Sequence, residues 1–167
     1  MAFSGTIAEA VTVKATKKAK RPARYYLGPY RSARTRDAHG ASQQDVVVYL
    51  EGLAAGRTVS TASSPPVMSQ KNEAFVPRVL PVLAGTTVEF PNLDDFYHNV
   101  FSVMAGDRFD LGRYAKGKTP RETFSTPGVI VVRCEIHAGM KAFIRVLETP
   151  YFTVPADDGA YSFTDIP

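Results

Sequence analysis

The sequence predicts an all-β fold, arranged as a β-sandwich. Twelve prolines and twelve glycines divide the 167 residues into short segments. Several of these segments are rich in the β-branched and aromatic side chains that favour strands. No window shows the sustained periodicity of an amphipathic helix. Since one domain usually takes about 100–200 residues, the chain is expected to form one domain, or one domain with a small appendage.

The first strands of the sandwich are predicted from short apolar runs between turn formers. Residues 86–90 alternate polar and apolar side chains, residues 91–95 interrupt them, and extended structure resumes at residues 98–103. The acidic pair at residues 94–95 is interpreted as a pair of turn formers.

The last strands of the sandwich are predicted to form a β-hairpin. After a Pro-Gly turn, residues 129–134 form an apolar strand, and a second apolar strand covers residues 142–147. The run between them is the hairpin loop, in which Gly139 is expected to let the chain turn tightly. Because side chains alternate faces along a strand, Cys134 is expected to point into the apolar interior.

Four residues of this framework are candidate metal ligands. The hairpin loop contains Cys134, His137 and Met140 in the spacing Cys-x2-His-x2-Met, and His98 begins the strand predicted at residues 98–103. The chain has one cysteine, three histidines and four methionines. One thiolate, two imidazoles and one thioether are the ligand set of a blue-copper electron-transfer site, in which thiolate and thioether favour Cu(I) and imidazole suits both oxidation states.

Other interpretations of these residues compete with a copper site. A lone cysteine in a valine-rich strand is usually an inert core residue, and a lone histidine or methionine more often packs or forms a hydrogen bond. A nucleophilic pair of Cys134 with His137 or His98 is conceivable, but it leaves Met140 unexplained. The same side chains could also hold Zn²⁺. The combined spacing of all four residues favours copper.

Residues 67–147 resemble a cupredoxin. The loop Cys134-x2-His137-x2-Met140 is similar to the short ligand loop of amicyanin, and the run from His98 to Val100 is similar to the upstream histidine motif of plastocyanin and amicyanin. Residues 75–82, 85–90 and 109–112 also resemble cupredoxin-like proteins known as methylamine-utilization proteins. Because residues 67–147 are short for a complete cupredoxin, an edge strand is expected outside them, at residues 45–50. The resemblance implies a Greek-key β-sandwich and one type 1 copper ion. The copper ligands that it implies are His98, Cys134, His137 and Met140. It also implies that Asn99 forms a hydrogen bond with the ligand loop.

The function implied by the resemblance is the transfer of single electrons between redox partner proteins. In this role His137 would be the electron port at the surface, and Met140 would be the long axial ligand that tunes the potential. The alternative is a Cu(I) carrier or storage protein that uses the same ligands. An enzyme is not expected, because four protein ligands leave no open position for a substrate and the common hydrolase, phosphate-loop and zinc-protease motifs are missing from the sequence.

Three regions are predicted along the chain. Residues 1–44 form a basic N-terminal strand and arm, residues 45–149 form the cupredoxin domain, and residues 150–167 begin a C-terminal β-module. The last region, with an Asp-Gly turn, resembles the start of a carboxypeptidase-regulatory-like β-sandwich that is cut short. Residues 5–14 are expected to supply the first strand of the same module, which would nest the cupredoxin domain inside it.

The charge is unevenly distributed. Residues 1–36 contain nine basic side chains and one acidic side chain, whereas the remaining residues contain eleven basic and fifteen acidic ones. Tyrosines lie among the basic residues, as in some nucleic-acid-binding segments. No RNA-binding motif accompanies them, so a solvated arm is expected, with no nucleic acid as partner. A further possible use of the basic segment is docking of an acidic redox protein. His39 is expected to be exposed.

The predicted location is the periplasm, since the resemblance implies an exported protein. The chain itself shows no signal peptide. No stretch approaches the roughly 18 apolar residues of a membrane-spanning helix, so no membrane span is expected. A monomer is expected in solution.

Overall fold

The computed structural model describes residues 5–10, 43–51, 64–104 and 108–166. The described residues form β-strands and one short 3-10 helix, Gln43–Asp45. The strands are β1 Gly5–Ala10, β2 Val48–Tyr49, β3 Ser69–Lys71, β4 Ala74–Val76, β5 Val79–Leu83, β6 Thr86–Glu89, β7 His98–Ser102, β8 Phe109–Tyr114, β9 Arg121–Phe124, β10 Gly128–Arg133, β11 Lys141–Leu147, β12 Phe152–Thr153 and β13 Ala160–Ile166. The prediction of an all-β sandwich is confirmed.

One layer of the sandwich is a five-stranded sheet in the order β5-β11-β10-β7-β8. β5 pairs parallel with β11, and the other neighbours pair antiparallel. In β10, Ile130 and Val132 are fully buried, whereas Val129 is 48% exposed. The alternation predicted for this strand is therefore confirmed, and it continues to Cys134, which is buried.

The second layer consists of the β3–β4 hairpin and the β6–β9 pair. Two parallel bridges, Val67 to Glu89 and Gln70 to Asn92, join these pairs. Buried residues of both layers belong to one hydrophobic cluster. In this cluster, Phe124 lies edge-on to Phe90 and to Phe109, with ring centroids 6.3 and 5.5 Å apart. Aromatic pairs in this arrangement stabilise a core beyond their buried area.

A polar contact crosses the interior between the layers. The hydroxyl group of Tyr114, in β8, donates to the carbonyl oxygen of Phe90 at 2.9 Å, and it accepts a hydrogen bond from the side-chain amide of Gln70. All three residues are buried. Burial is the main reason that the pKa of Tyr114 lies well above its ordinary value. The phenol therefore stays protonated and able to donate.

The edge strand predicted at residues 45–50 was wrong in its extent. Only Val48–Tyr49 is a strand, and it pairs with β12 rather than with the five-stranded sheet. Asp45 lies in the 3-10 helix and forms an ion pair with Arg78. The physical reason is that β5 already occupies the free side of β11 through a parallel ladder.

The two ends of the described chain lie side by side. β1 pairs antiparallel with β13, with Ile7 opposite Phe163. The Asp-Gly turn is present between Ala156 and Ala160, where Gly159 has a φ of 84°. The domain boundaries, and the proposed carboxypeptidase-like module, stay predictions. The basic residues between 11 and 36, and His39, lie outside the described residues.

We predict that Tyr114→Phe destabilises the fold. Loss of the hydroxyl group leaves the amide of Gln70 and the carbonyl group of Phe90 with fewer partners in the interior, which typically costs about 1–3 kcal/mol. Urea unfolding of the metal-free protein measures this change in the free energy of unfolding. The control is Tyr97→Phe, because Tyr97 is 59% exposed. Equal stability of the two variants would contradict the role given to the buried hydroxyl group.

Candidate metal centre

The ligand loop is closed by its own backbone. Residues 134–140 join β10 to β11, which pair in a register that places Arg133 opposite Lys141. The N–H of Met140 donates to the carbonyl oxygen of His137 at 2.9 Å, and the N–H of Cys134 donates to the carbonyl oxygen of Met140 at 3.4 Å. These contacts bring all three loop candidates to one end of the hairpin.

Gly139 does not have the role predicted for it. It lies in the turn of the loop, but its φ lies outside the left-handed region that favours glycine. A Cβ atom at this position would meet no atom within 4 Å. The tight turn is therefore held by the loop hydrogen bonds and does not require a glycine.

His98 approaches the loop from the neighbouring strand. It is the first residue of β7, at the junction of loop and strand where the sequence placed it, and its side chain is fully buried. β7 pairs with β10 through Phe101 and Arg133, which brings His98 beside Cys134. His98 Nδ1 lies 3.8 Å from Cys134 Sγ and 3.1 Å from His137 Nδ1, and Cys134 Sγ lies 4.0 Å from His137 Nδ1.

These three atoms suit a single metal ion. Both imidazoles turn the same ring nitrogen toward the cysteine sulfur. An ion that bonds nitrogen at about 2.0–2.1 Å and sulfur at about 2.3 Å, as zinc does, can reach all three atoms at these separations. A thiolate suits zinc as well as Cu(I), but a set of two histidines, one cysteine and one methionine is the ligand set of blue-copper sites. The residues present therefore fit copper.

Met140 completes the group of candidate ligands. Its side chain is 2% exposed and belongs to the same buried cluster as Cys134. Its position at the end of the loop follows from the hydrogen bond between its carbonyl group and the N–H of Cys134. Met140 is therefore a buried thioether at the end of the loop that Cys134 begins, and a methionine is the weak fourth ligand in blue-copper sites.

Asn99 ties the ligand loop to the sheet. Its Oδ1 accepts the N–H of Glu135 at 2.9 Å, and its Nδ2 donates to Asp110 Oδ1 at 2.9 Å. Asn99 is 2% exposed. The hydrogen bond to the loop is the one that the cupredoxin resemblance implies for this residue. Loop, β7 and β8 are therefore linked one residue away from both His98 and Cys134.

Asp94 is the buried carboxylate of this region, and its contact with His98 was not predicted from the sequence. Its Oδ2 lies 2.9 Å from His98 Nε2, and the side chain of Asp94 is only 8% exposed. Burial raises the pKa of Asp94, but the hydrogen bond from His98 and those from the backbone of Glu73 and Asn72 outweigh burial and hold the pKa below its ordinary value. An acidic residue four positions before a candidate ligand histidine was the available signal.

His137 lies at the surface end of the site. It is half-buried, whereas His98 and Cys134 are buried. The ring of Phe96 contacts both histidines, with centroids 5.1 Å from His98 and 5.3 Å from His137. Phe96 is 43% exposed and Ile136 is 40% exposed. Two partly exposed apolar side chains therefore lie beside the one candidate ligand that reaches toward solvent: Phe96 in contact with its ring, and Ile136 as its neighbour in the chain.

Comparisons with known proteins identify relatives of part of the chain. No family model matches the chain. Plastocyanin from Ulva arasakii is 43% identical over 84 residues, which cover 44% of this chain and 86% of the relative. The resemblances to methylamine-utilization proteins and to carboxypeptidase-like modules stay predictions.

Solved structures similar to this chain include a nitrite reductase and an amicyanin. A copper-containing nitrite reductase from Thermus scotoductus SA-01 is 32% identical, with a TM-score of 0.49, and the matched region covers 58% of this chain and 25% of the reductase chain. A reduced amicyanin variant is 23% identical, with a TM-score of 0.48, and the matched region covers 52% of this chain and 86% of the amicyanin chain.

We predict that Asn99→Ala weakens metal binding while the fold is retained. Loss of a residue that orients metal ligands typically lowers metal affinity about 10–100-fold, and Asn99 holds the backbone of Glu135 next to Cys134. Competition with a Cu(I) chelator measures the affinity. The control is Arg113→Ala, which removes an exposed ion pair to the side chain of the same Glu135. Equal losses in both variants would show that the buried contact has no special role.

Proposed function

The chain belongs to the cupredoxin family, the copper electron carriers that include plastocyanin, and from this premise we propose that it passes single electrons between redox proteins through His98, Cys134, His137 and Met140 as ligands of one copper ion. One observation carries the proposal: a cysteine sulfur and two imidazole Nδ1 atoms converge within 4.0 Å. When bound there, copper supplies a centre that alternates between Cu(I) and Cu(II).

The protein's contribution to electron transfer is a ligand set that hydrogen bonds hold in place. The loop is closed by the backbone contacts of Cys134, His137 and Met140, and Asn99 fastens it to β7. Behind the ligands, the fully buried side chains of Val100 and Val132 exclude water. A rigid and dry site keeps one geometry for both oxidation states, so little rearrangement accompanies the gain or loss of an electron.

His137 is the proposed electron port. It is the most exposed of the four proposed ligands, and Phe96 and Ile136 beside it are each at least 40% exposed. Apolar side chains beside an imidazole edge allow a partner protein to approach closely without desolvating many charges. The partners themselves are redox proteins of unidentified kind.

Transfer of Cu(I) itself, the alternative function, makes different demands on the site. A copper carrier must release its ion to an acceptor, which requires access to the buried Cys134 and His98. The closed loop favours retention of the ion instead. Retention of copper through repeated oxidation and reduction supports electron transfer, whereas loss of copper to a copper-depleted acceptor supports the carrier.

A periplasmic location and a monomeric state are further parts of the proposal. Membership of the cupredoxin family supports export, and cell fractionation tests it. Within the described residues, no helix is long and apolar enough to cross a bilayer. Sedimentation of the copper-loaded protein measures the oligomeric state.

We predict that Cys134→Ser abolishes the visible colour of the copper protein. The wild-type protein is expected to show an intense blue charge-transfer band and narrow copper hyperfine splitting in EPR spectra, because a thiolate binds Cu(II) directly. Serine offers no thiolate, so the band should disappear even where copper is retained. Absorption and EPR spectra after Cu(II) loading and removal of excess metal test this. A blue Cys134→Ser protein would refute the site.

We predict that Met140→Gln keeps copper bound but lowers the reduction potential. An amide oxygen favours Cu(II) more than a thioether does, and the axial ligand tunes the potential of such sites. The expected shift is on the order of 60 mV, a tenfold change in the one-electron equilibrium. Spectroelectrochemistry measures it. Met104→Gln is the control, because Met104 is 40% exposed and lies outside the site. An unchanged potential in Met140→Gln would remove Met140 from the ligand set.

A further inference from the structure

Asp94 contacts His98 on the side of the imidazole ring opposite the metal centre. Asp94 Oδ2 and His98 Nε2 are 2.9 Å apart, while His98 Nδ1 faces Cys134 and His137. We propose that Asp94 is a positioning residue of the copper site, which fixes His98 in the tautomer that offers Nδ1 to the metal and lowers the reduction potential. This inference rests on the copper function proposed above.

The β3–β4 hairpin holds Asp94 in place. The N–H of Asn72 donates to Asp94 Oδ1 at 2.7 Å, and the N–H of Glu73 donates to Asp94 Oδ2 at 3.1 Å. Asn72 and Glu73 have φ angles of 54° and 55°, in the left-handed region that residues other than glycine rarely adopt. A turn of this kind persists where its surroundings support it, and here both of its N–H groups bind one buried carboxylate.

The loop that carries Asp94 is held from the other side by Asn92. The N–H of Asp94 donates to Asn92 Oδ1 at 2.9 Å. Asn92 Nδ2 in turn donates to the carbonyl oxygens of Phe96 and Tyr114, at 2.8 and 3.1 Å. Asn92 is fully buried. The carboxylate is therefore fixed between the hairpin and β8, and it has little freedom to turn away from His98.

The chemistry of the pair determines the tautomer of His98. An ionised carboxylate only accepts hydrogen bonds, so the proton between the two residues belongs to His98 Nε2. A neutral imidazole that carries its proton on Nε2 has its free lone pair on Nδ1. Nδ1 is the atom that faces Cys134 Sγ at 3.8 Å. The contact with Asp94 thus prepares His98 as a ligand before any metal arrives.

The charge of Asp94 acts on the potential in the same direction as its hydrogen bond. A carboxylate that accepts the second N–H of a ligand histidine raises the basicity of that ligand. A buried negative charge also interacts more strongly with nearby charges than an exposed one, because the surroundings screen it less. Both effects stabilise the more highly charged Cu(II) over Cu(I). Asp94 therefore lowers the potential.

The neighbouring residue provides a matched control. The side chain of Asp95 is 86% exposed and forms its ion pair with Lys116. Asp95→Asn removes the same formal charge one residue away, where solvent screens it. Asp94→Asn replaces the buried acceptor by an amide, which cannot accept all three of the hydrogen bonds that now reach Asp94.

The first test compares the reduction potentials of the copper-loaded wild type, Asp94→Asn and Asp95→Asn proteins. Asp94→Asn is expected to raise the reduction potential by about 59 mV, which corresponds to a tenfold shift of the one-electron equilibrium toward Cu(I). Asp95→Asn should shift it far less. Equal shifts in the two variants, or no shift in Asp94→Asn, would overturn the inference. A blue wild-type protein would still support the proposed function in that case.

The second test needs neither a variant nor copper. Nitrogen-15 NMR of the metal-free wild-type protein reports which ring nitrogen of His98 carries the proton. A slowly exchanging proton on Nε2 is expected. A proton on Nδ1, or a rapidly exchanging one, would overturn the inference even if Asp94→Asn failed to fold. A wild-type protein with this tautomer that bound no copper would refute the proposed function, and with it the effect on the potential, but not the tautomer assigned to His98.

Discussion

In the β10–β11 hairpin, antiparallel pairing places Arg133 opposite Lys141, and this register determines where the ligand loop begins and ends. A shift by one residue would turn Cys134 from the interior to the solvent face, because side chains alternate along a strand. The same pairing places Met140 beside Cys134, where the backbone of the two residues closes the loop. The position of the thiolate, and with it the whole site, depends on this ladder.

Around this hairpin, polar contacts in the interior connect the site to both layers of the sandwich. Asn99 links the loop to β7 and β8, and Asn92 links the loop that carries Asp94 to the backbone of Tyr114. Each of these side chains is buried and has its partners. Buried polar networks that are satisfied in this way make a core rigid. The rigidity that a single-electron centre needs is therefore a property of the sandwich as a whole.

Much of the candidate site could be predicted from the sequence because its chemistry is local. Cys134, His137 and Met140 lie within one hairpin loop, and alternation along β10 is enough to aim the cysteine inward. The strands that flank the loop were also predictable from local patterns, namely apolar runs bounded by turn formers. The edge strand at residues 45–50 was not predictable in this way, since β5 and the segment at 45–50 are both apolar and only long-range pairing decides which of them joins β11.

Residue types and spacing by themselves determined the all-β class, the hairpin and the chemical identity of the four candidate ligands. Tertiary structure alone decided how these parts meet. It set β7 beside β10, so that His98 reaches Cys134, and it turned Asp94 from an apparent turn former into the partner of His98. The reason is physical: the N–H groups that hold Asp94 come from the backbone of a distant hairpin, and every residue other than proline carries such a group. Their arrangement therefore leaves no mark in the sequence and exists only once the chain has folded.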